Sequence, residues 1–384
     1  MSSFIKQRLV CPGPTPLLDA AQTASFNKNI YHRSDSFKQV VLDCRKMLKD
    51  VFLGENLPLI LTSSGTGAME ASFVNFTSPE DKVAIISGGK FGQRWQQLAE
   101  SYDCQASSFE LEWGKSVDLE VFKEWISNIK DLKSIFFQAN ETSTGVAYPV
   151  KEICDTVKEQ HPDCLIIVDA ISALLAQELP QKELGIDVLI SGSQKGFGLP
   201  AGLSFVSLSN RALNSFSNRS CFYFNLQKEY KGQANGTTSW TPATALILSL
   251  KETLHRLLEI GLDNFIKNHK QMTLACRSAI RELHLEPLAT EDFSYSLTSV
   301  KVPSSINGKE LLRVLREKYK AFFAGGQDQL NGKIIRIAHL GFVDEFNLIE
   351  NIAILEFALK DLGWEFNIGV GVAAAMKELY RKDT

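Results

Sequence analysis

A chain of 384 residues with 44% apolar, 22% charged and 10% aromatic side chains has ordinary globular composition, far from that of a disordered sequence. Its 41 Lys and Arg against 44 Asp and Glu leave a net charge of -3, with no basic excess to neutralise a nucleic-acid backbone or hold an anionic membrane. At roughly 100 to 200 residues per domain, the length predicts two or three domains.

The start, Met1-Ser-Ser-Phe-Ile-Lys-Gln-Arg8, has no apolar signal core behind its charges. The late apolar run Ile368 to Met376 falls well short of the about 20 residues that span a bilayer. A soluble, cytoplasmic protein is expected. Cys11, Cys44, Cys104, Cys154, Cys164, Cys221 and Cys276 include no Cys-x-x-Cys pair, so neither a zinc site nor a disulfide framework is expected, only buried free thiols.

Residues 1–20 read as an extended arm, because Cys11-Pro-Gly-Pro-Thr-Pro16 can enter neither a helix nor a central strand. From about 35 to 240, short apolar runs alternate with helical periodicity. The runs cover 57–62, 82–87, 134–138, 164–168, 187–191 and 203–208, with helical patterns at 93–102, 119–129 and 150–160. The runs are apolar on both faces, as parallel strands covered by helices on both sides must be. The prediction is a doubly wound α/β domain. From Pro242 the pattern is helical to about Leu283, then mixes strand signals (294–302, 332–338) with helices (309–319, 345–362), giving a smaller α+β domain. The expected division is an arm over 1–20, a large domain over 21–265 and a small one over 266–384.

Ligands of open α/β sheets bind beyond the carboxyl ends of the strands, so the polar residues that follow the runs are the candidates. Ser63-Ser-Gly-Thr-Gly67 sits between a strand and a helix, where free amides attract an anion such as phosphate. A tight turn with a Ser or Thr cap explains it equally, whereas a dinucleotide fingerprint would need its third glycine where Glu70 stands. Asp169 closes Leu165-Ile-Ile-Val-Asp169 and needs a cation or hydrogen bonds there, or serves as a helix cap. Lys195, in Ser191-Gly-Ser-Gln-Lys-Gly-Phe-Gly198, follows a strand among small residues. Desolvation would lower its pKa, as an imine-forming lysine requires; a surface loop lysine is the alternative. An anion cradle, a strand-end acid and a desolvated amine together match pyridoxal phosphate: its phosphate, its pyridine nitrogen and its aldehyde.

Six motifs stand in order: Ser64-Gly-Thr-Gly-Ala-Met-Glu70, Gly89-Lys-Phe-Gly-Gln-Arg94, Asn140-Glu-Thr-Ser-Thr-Gly145, Val168-Asp169, Ser191-Gly-Ser-Gln-Lys-Gly196 and Arg336-Ile-Ala-His-Leu-Gly341. With them the chain resembles class V pyridoxal-phosphate aminotransferases of fold type I. The likeness is to the alanine–glyoxylate and serine–pyruvate branch, and it runs from Pro12 to about Phe342. The resemblance implies a seven-stranded, mostly parallel sheet and a homodimer. It also implies a role for each matching residue. Lys195 carries the cofactor and moves the substrate proton, and Asp169 pairs with the pyridine nitrogen. Phe91 stacks on the ring, while Ser64, Gly65, Thr66 and Gln194 surround the phosphate. Thr142 meets the ring hydroxyl. Arg336 binds the substrate carboxylate, and Pro12 and Gly13 line the substrate pocket. Thr238 and Thr241 reach across the dimer to the partner's phosphate. Without the family, a salt-bridged strand arginine would explain Arg336 and a core aromatic would explain Phe91.

The implied reaction is ping-pong transfer from alanine or serine to glyoxylate or pyruvate, since nothing between Pro12 and Arg336 offers a second cation for a dicarboxylate. Tyr31-His-Arg-Ser-Asp-Ser-Phe37 resembles the His-Arg pair of phosphoserine aminotransferases, so His32 and Arg33 make phosphoserine the alternative substrate. A cysteine desulfurase would need a mobile cysteine in the second half, where only Cys276 follows Cys221. An NAD-binding dehydrogenase would leave Lys195 unexplained.

Overall fold

The computed structural model describes residues 6–26 and 29–381, so Met1 to Ile5 of the expected arm lie outside the described residues. All six apolar runs form strands, with bounds shifted by a residue or two. The large sheet comprises β1 (Leu59–Leu61), β2 (Lys82–Ser87), β3 (Gln105–Glu110), β4 (Leu132–Gln138), β5 (Leu165–Asp169), β6 (Val188–Gly192) and β7 (Ser204–Leu208). Its order is β1-β7-β6-β5-β4-β2-β3.

The continuous apolar runs have a direct cause. Val83, Ile85, Leu165, Ile167, Val188 and Ile190 pack into a core beneath the helices Gly65–Phe76 and Lys90–Ser101. Their neighbours Ala84, Ile86, Ile166, Val168 and Leu189 pack into a second core on the other face, against Asp35–Phe52, Val150–Gln160 and Thr244–Ile260. Period-two side chains thus meet an apolar layer whichever way they point. Each fully buried aliphatic or aromatic side chain contributes about 1.5–3 kcal/mol, so a polar residue on either face would be costly.

Two features depart from the sequence-based expectation. Strand β7 runs antiparallel to both β1 and β6, not parallel. The link 193–203 contains no helix to carry a crossover, and the amide of Ser193 donates to the Leu203 carbonyl at 3.0 Å, so the chain turns straight back. Burial on both faces looks the same for either direction. Strand β3 is not foreshadowed by an apolar run because its sequence, Gln-Ala-Ser-Ser-Phe-Glu, lies at the sheet edge with only Phe109 buried.

After Pro242 the helical stretch is two helices, Thr244–Ile260 and Leu262–Glu282, broken at Gly261, whose φ of +85° suits glycine. A second, antiparallel sheet follows, with β8 (Glu286–Pro287), β9 (Leu297–Lys301), β10 (Ala324–Gly325) and β11 (Ile334–Ala338) in the order β8-β9-β11-β10. The late apolar run forms the helix Val370–Tyr380, with Gly371, Ala374 and Ala375 buried. No described helix is long and apolar enough to cross a membrane.

The arm is pinned to the second sheet before it reaches the first. Arg8–Leu9 pairs in parallel with Ala321–Phe322, and the Val10 carbonyl accepts from Ala338 at 2.9 Å. Four of the seven expected buried thiols are buried (Cys44, Cys154, Cys164, Cys276); Cys11, Cys104 and Cys221 are only partly so.

Candidate active site

The carboxyl ends of β1, β2, β4, β5 and β6 fall along one edge of the sheet because all five run the same way. Each delivers one group of candidate residues there. Lys195 follows β6, and its ammonium donates to the Pro12 carbonyl of the arm. The arm must come this close without a side chain: a Cβ on Gly13 would lie 2.5 Å from Lys195 Nζ. Loss of water, and then the positive field of Arg336, push the amine down to about 8 from its usual 10.5.

Asp169, at the end of β5, is 5% exposed. Burial pushes its carboxyl up to about 6, against the Ile171 amide that donates to Oδ1 at 2.7 Å. No helix starts here, so the helix-cap alternative does not hold; the bond caps a turn instead, and it uses one oxygen only. Among the described residues Oδ2 has no hydrogen-bond partner. Ile171, whose amide bonds Asp169, packs against Gly65 and lies by Gly192 beside Gln194, next to Lys195, and the amine and the acid each favour the other's charged form.

The helix Gly65–Phe76 starts at the same edge. Ser64 occupies its cap position in extended conformation but makes no side-chain capping bond, which overturns the simple capping alternative. The hydroxyl and the first amides of the helix remain available to an anion. Gly65 is required by close packing, since a Cβ there would lie 2.6 Å from the Ile171 side chain. Gln194 faces the same spot: a Cβ on Gly192 would lie 3.0 Å from Gln194 Oε1 and 3.6 Å from the Gly65 Cα. Gln194 Oε1 is buried without a partner.

Phe91 begins the helix Lys90–Ser101 after β2, with the Arg94 guanidinium 4.9 Å from its ring centroid. Thr142, after β4, is buried, with its hydroxyl 2.5 Å from Ser172 Oγ. Arg336 rises from β11 and is 8% exposed. It donates to the carbonyls of Gly325 and Thr142, both at 3.0 Å, and no carboxylate lies within ion-pair distance among the described residues. The salt-bridged alternative is therefore excluded. Thr238 and Thr241 are not brought to Lys195; they line a surface cleft of about 620 Å³ with His32, Arg33 and Lys38.

The family model for aminotransferase class V matches residues 18–330. The chain belongs to the class V aminotransferases. It is 37% identical over 97% of its length to the soluble hydrogenase 42 kDa subunit of Anabaena cylindrica, covering 98% of that protein. It is 31% identical over 99% of its length to the serine–glyoxylate aminotransferase of Hyphomicrobium methylovorum, covering 96% of that chain. The solved structure of an aspartate aminotransferase of subgroup IV from Thermus thermophilus superposes with a TM-score of 0.87 at 28% identity, over 92% of this chain and 99% of the other.

This class V aminotransferase is a pyridoxal-phosphate enzyme of fold type I. Its residues fit that group: an uncapped helix start whose free amides lie among glycines, an acid with one free oxygen, and an amine depressed toward neutrality. The rival chemistries lose their residues. Cys276 is fully buried inside the helix Leu262–Glu282, with its thiol pushed up to about 12, so it is no mobile nucleophile. Glu70, which breaks the dinucleotide fingerprint, instead accepts from the Tyr102 hydroxyl at 2.5 Å.

Two residues within the quoted motifs carry more than the sequence assigns them. Glu141 is fully buried and accepts from the amides of Phe91 and Gly92 at 3.1 Å, Gln138 Nε2 at 3.0 Å, and the Ser143 amide and hydroxyl. Burial pushes its pKa up, and these donors oppose the shift. It fastens the 140–145 loop to the start of the helix that presents Phe91. An acid shortly beyond an apolar run was the available signal. Arg94 is the second cation near the site, which sequence reasoning missed; it lies on the Thr66 and Phe91 side, apart from the bonds of Arg336.

Proposed function

We propose that this aminotransferase moves the amino group of alanine or serine to glyoxylate or pyruvate, in two half-reactions that share one site. Bound pyridoxal phosphate supplies an electrophilic carbonyl and an electron-accepting pyridinium ring. Lys195 holds it, and the amine, poised near neutrality, takes a proton from the substrate α-carbon and returns it. Asp169, through Oδ2, would hold the ring nitrogen and favour its protonated form. Ser64, Gly65, Thr66 and Gln194 would surround the phosphate, Phe91 would cover the ring and Thr142 would face its hydroxyl. Pro12 and Gly13 close the pocket over Lys195.

The observation that carries a 2-amino acid and 2-oxo acid as substrates is the buried guanidinium of Arg336, paired with carbonyls and, among the described residues, with no carboxylate in ion-pair distance. Its remaining N–H groups can take an α-carboxylate through two parallel bonds. The Hyphomicrobium relative, named for serine and glyoxylate, supports a small donor. The holoenzyme should therefore convert to its amine form, read by absorbance, at least about tenfold faster with alanine or serine than with aspartate or phosphoserine, given that misfit of one charged group costs more than about 1.4 kcal/mol. Faster conversion by aspartate would overturn the small-donor reading. Faster conversion by phosphoserine would favour the second reading, to which His32 and Arg33, adjacent in the Thr238 cleft, lend support.

We also infer a homodimer in which Thr238 and Thr241 reach the partner's phosphate. Phe222 (80% exposed), Tyr223 and Tyr31 form aromatic surface near that cleft, a large apolar area for a lone chain to leave in water. Sedimentation of the holoenzyme is expected to give twice the chain mass; a fully active monomer would remove the role of both threonines.

A further inference from the structure

We propose that Arg94 is a cofactor-binding residue: its guanidinium forms the cationic wall of the phosphate cradle at the start of the Gly65–Phe76 helix. The proposal rests on the reading of Ser64 to Thr66 as that cradle.

Four observations converge on it. Arg94 Nη1 donates to the Thr66 hydroxyl at 3.1 Å, and Thr66 is the second residue of the helix. The guanidinium also stands 4.9 Å from the Phe91 ring centroid, which fixes its stem between the ring-covering residue and the helix start. No carboxylate lies within ion-pair distance of it among the described residues, whereas Lys90, four residues earlier, pairs with Asp328 at 2.7 Å. Finally, its charge is felt by both Asp169 and Lys195, lowering the pKa of each. It therefore stands, half-buried, on the side of the site from which its charge reaches both reactive groups.

The chemistry follows. A phosphate monoester bound by helix amides and hydroxyls alone carries close to two negative charges with only partial positive charge against them. A guanidinium already anchored through one nitrogen offers its other N–H groups in a planar fork that matches two phosphate oxygens. Thr66 then serves both, accepting from Arg94 through its lone pair and donating its hydroxyl proton to the phosphate. The guanidinium and the uncapped amides of Gly65 and Thr66 thus border the same helix start.

The test uses the full chain stripped of cofactor and measures binding by equilibrium dialysis, with pyridoxal phosphate and pyridoxal as paired probes. The unmodified protein should bind the phosphate ester far more tightly than pyridoxal, and inorganic phosphate should compete with the ester. Arg94→Gln should weaken pyridoxal phosphate about 10- to 100-fold, the range of one charge-assisted hydrogen-bonded contact, and weaken pyridoxal far less. Arg94→Lys, which keeps a cation but not the fork, should recover part of the loss and provides the comparison if the glutamine variant is poorly folded. Equal weakening of both probes, or of neither, would overturn the role of Arg94 while the cradle stands. If the unmodified protein does not prefer the phosphate ester, the cradle reading fails and the proposal with it.

Discussion

Lys195→Ala is expected to abolish transamination, lowering turnover by at least about 10⁴-fold, because it removes both the covalent anchor and the proton carrier. The visible absorbance of covalently held cofactor should disappear, while the far-ultraviolet circular dichroism and the thermal midpoint stay close to those of the parent. The fold has little at stake at this position: the ammonium donates to the Pro12 carbonyl, and the Thr15 hydroxyl that bonds the Lys195 carbonyl at 2.9 Å is indifferent to the side chain. Retained activity would remove the mechanism. The same amine makes a pH prediction. Only a neutral amine attacks an aldehyde, and burial places its folded pKa near 8, not 10.5. The rate at which the stripped protein takes up pyridoxal phosphate should therefore rise with pH and level off once pH passes about 8. A rate still climbing about tenfold per unit well above that point would show an ordinary, solvated lysine.

Asp169→Asn should lower turnover by about 10²- to 10³-fold, the usual loss when one fixed charge opposite developing charge is neutralised. The substitution separates function from structure cleanly. The amide oxygen of asparagine still accepts from Ile171, so the turn after β5 keeps its bond, and the strand registers Gln138 with Asp169 and Asp169 with Ile190 use the backbone alone. Stability should hold or rise slightly, since a carboxylate that burial pushes up to about 6 is costly to ionise in the folded chain. The loss should appear in the maximal rate more than in the substrate concentration for half-saturation, because Asp169 acts on the ring and Arg336 on the carboxylate. A near-normal rate would contradict the pairing of Asp169 with the ring nitrogen.

Much of this architecture was legible residue by residue. The runs at 82–87 and 164–168 lie within a residue of their strands because residues buried on both faces must be apolar throughout, and that pattern is plain in the sequence. The candidates after those runs converged because parallel strands end along one edge. Strand β3 escaped because an edge strand with a single buried side chain needs no apolar run. The direction of β7 escaped because double-sided burial carries no sense of direction. Glu141 stood in a motif without a role of its own, because the amides of Phe91 and Gly92 reach its carboxylate only once β2 and β4 lie side by side.

What the amino-acid order alone determined was the kind of chemistry: an amine, an acid and an anion-binding turn, each placed at the end of an apolar strand by local periodicity. Only the folded chain decided the partners. It left Arg336 facing carbonyls with no ion-paired acid among the described residues, pressed Gly13 against Lys195 and set Arg94 beside Thr66. The reason is physical: periodicity is a property of neighbours in the chain, whereas desolvation and hydrogen-bond completion depend on atoms brought together from distant segments, and these set the pKa values and the unfilled bonds on which binding depends.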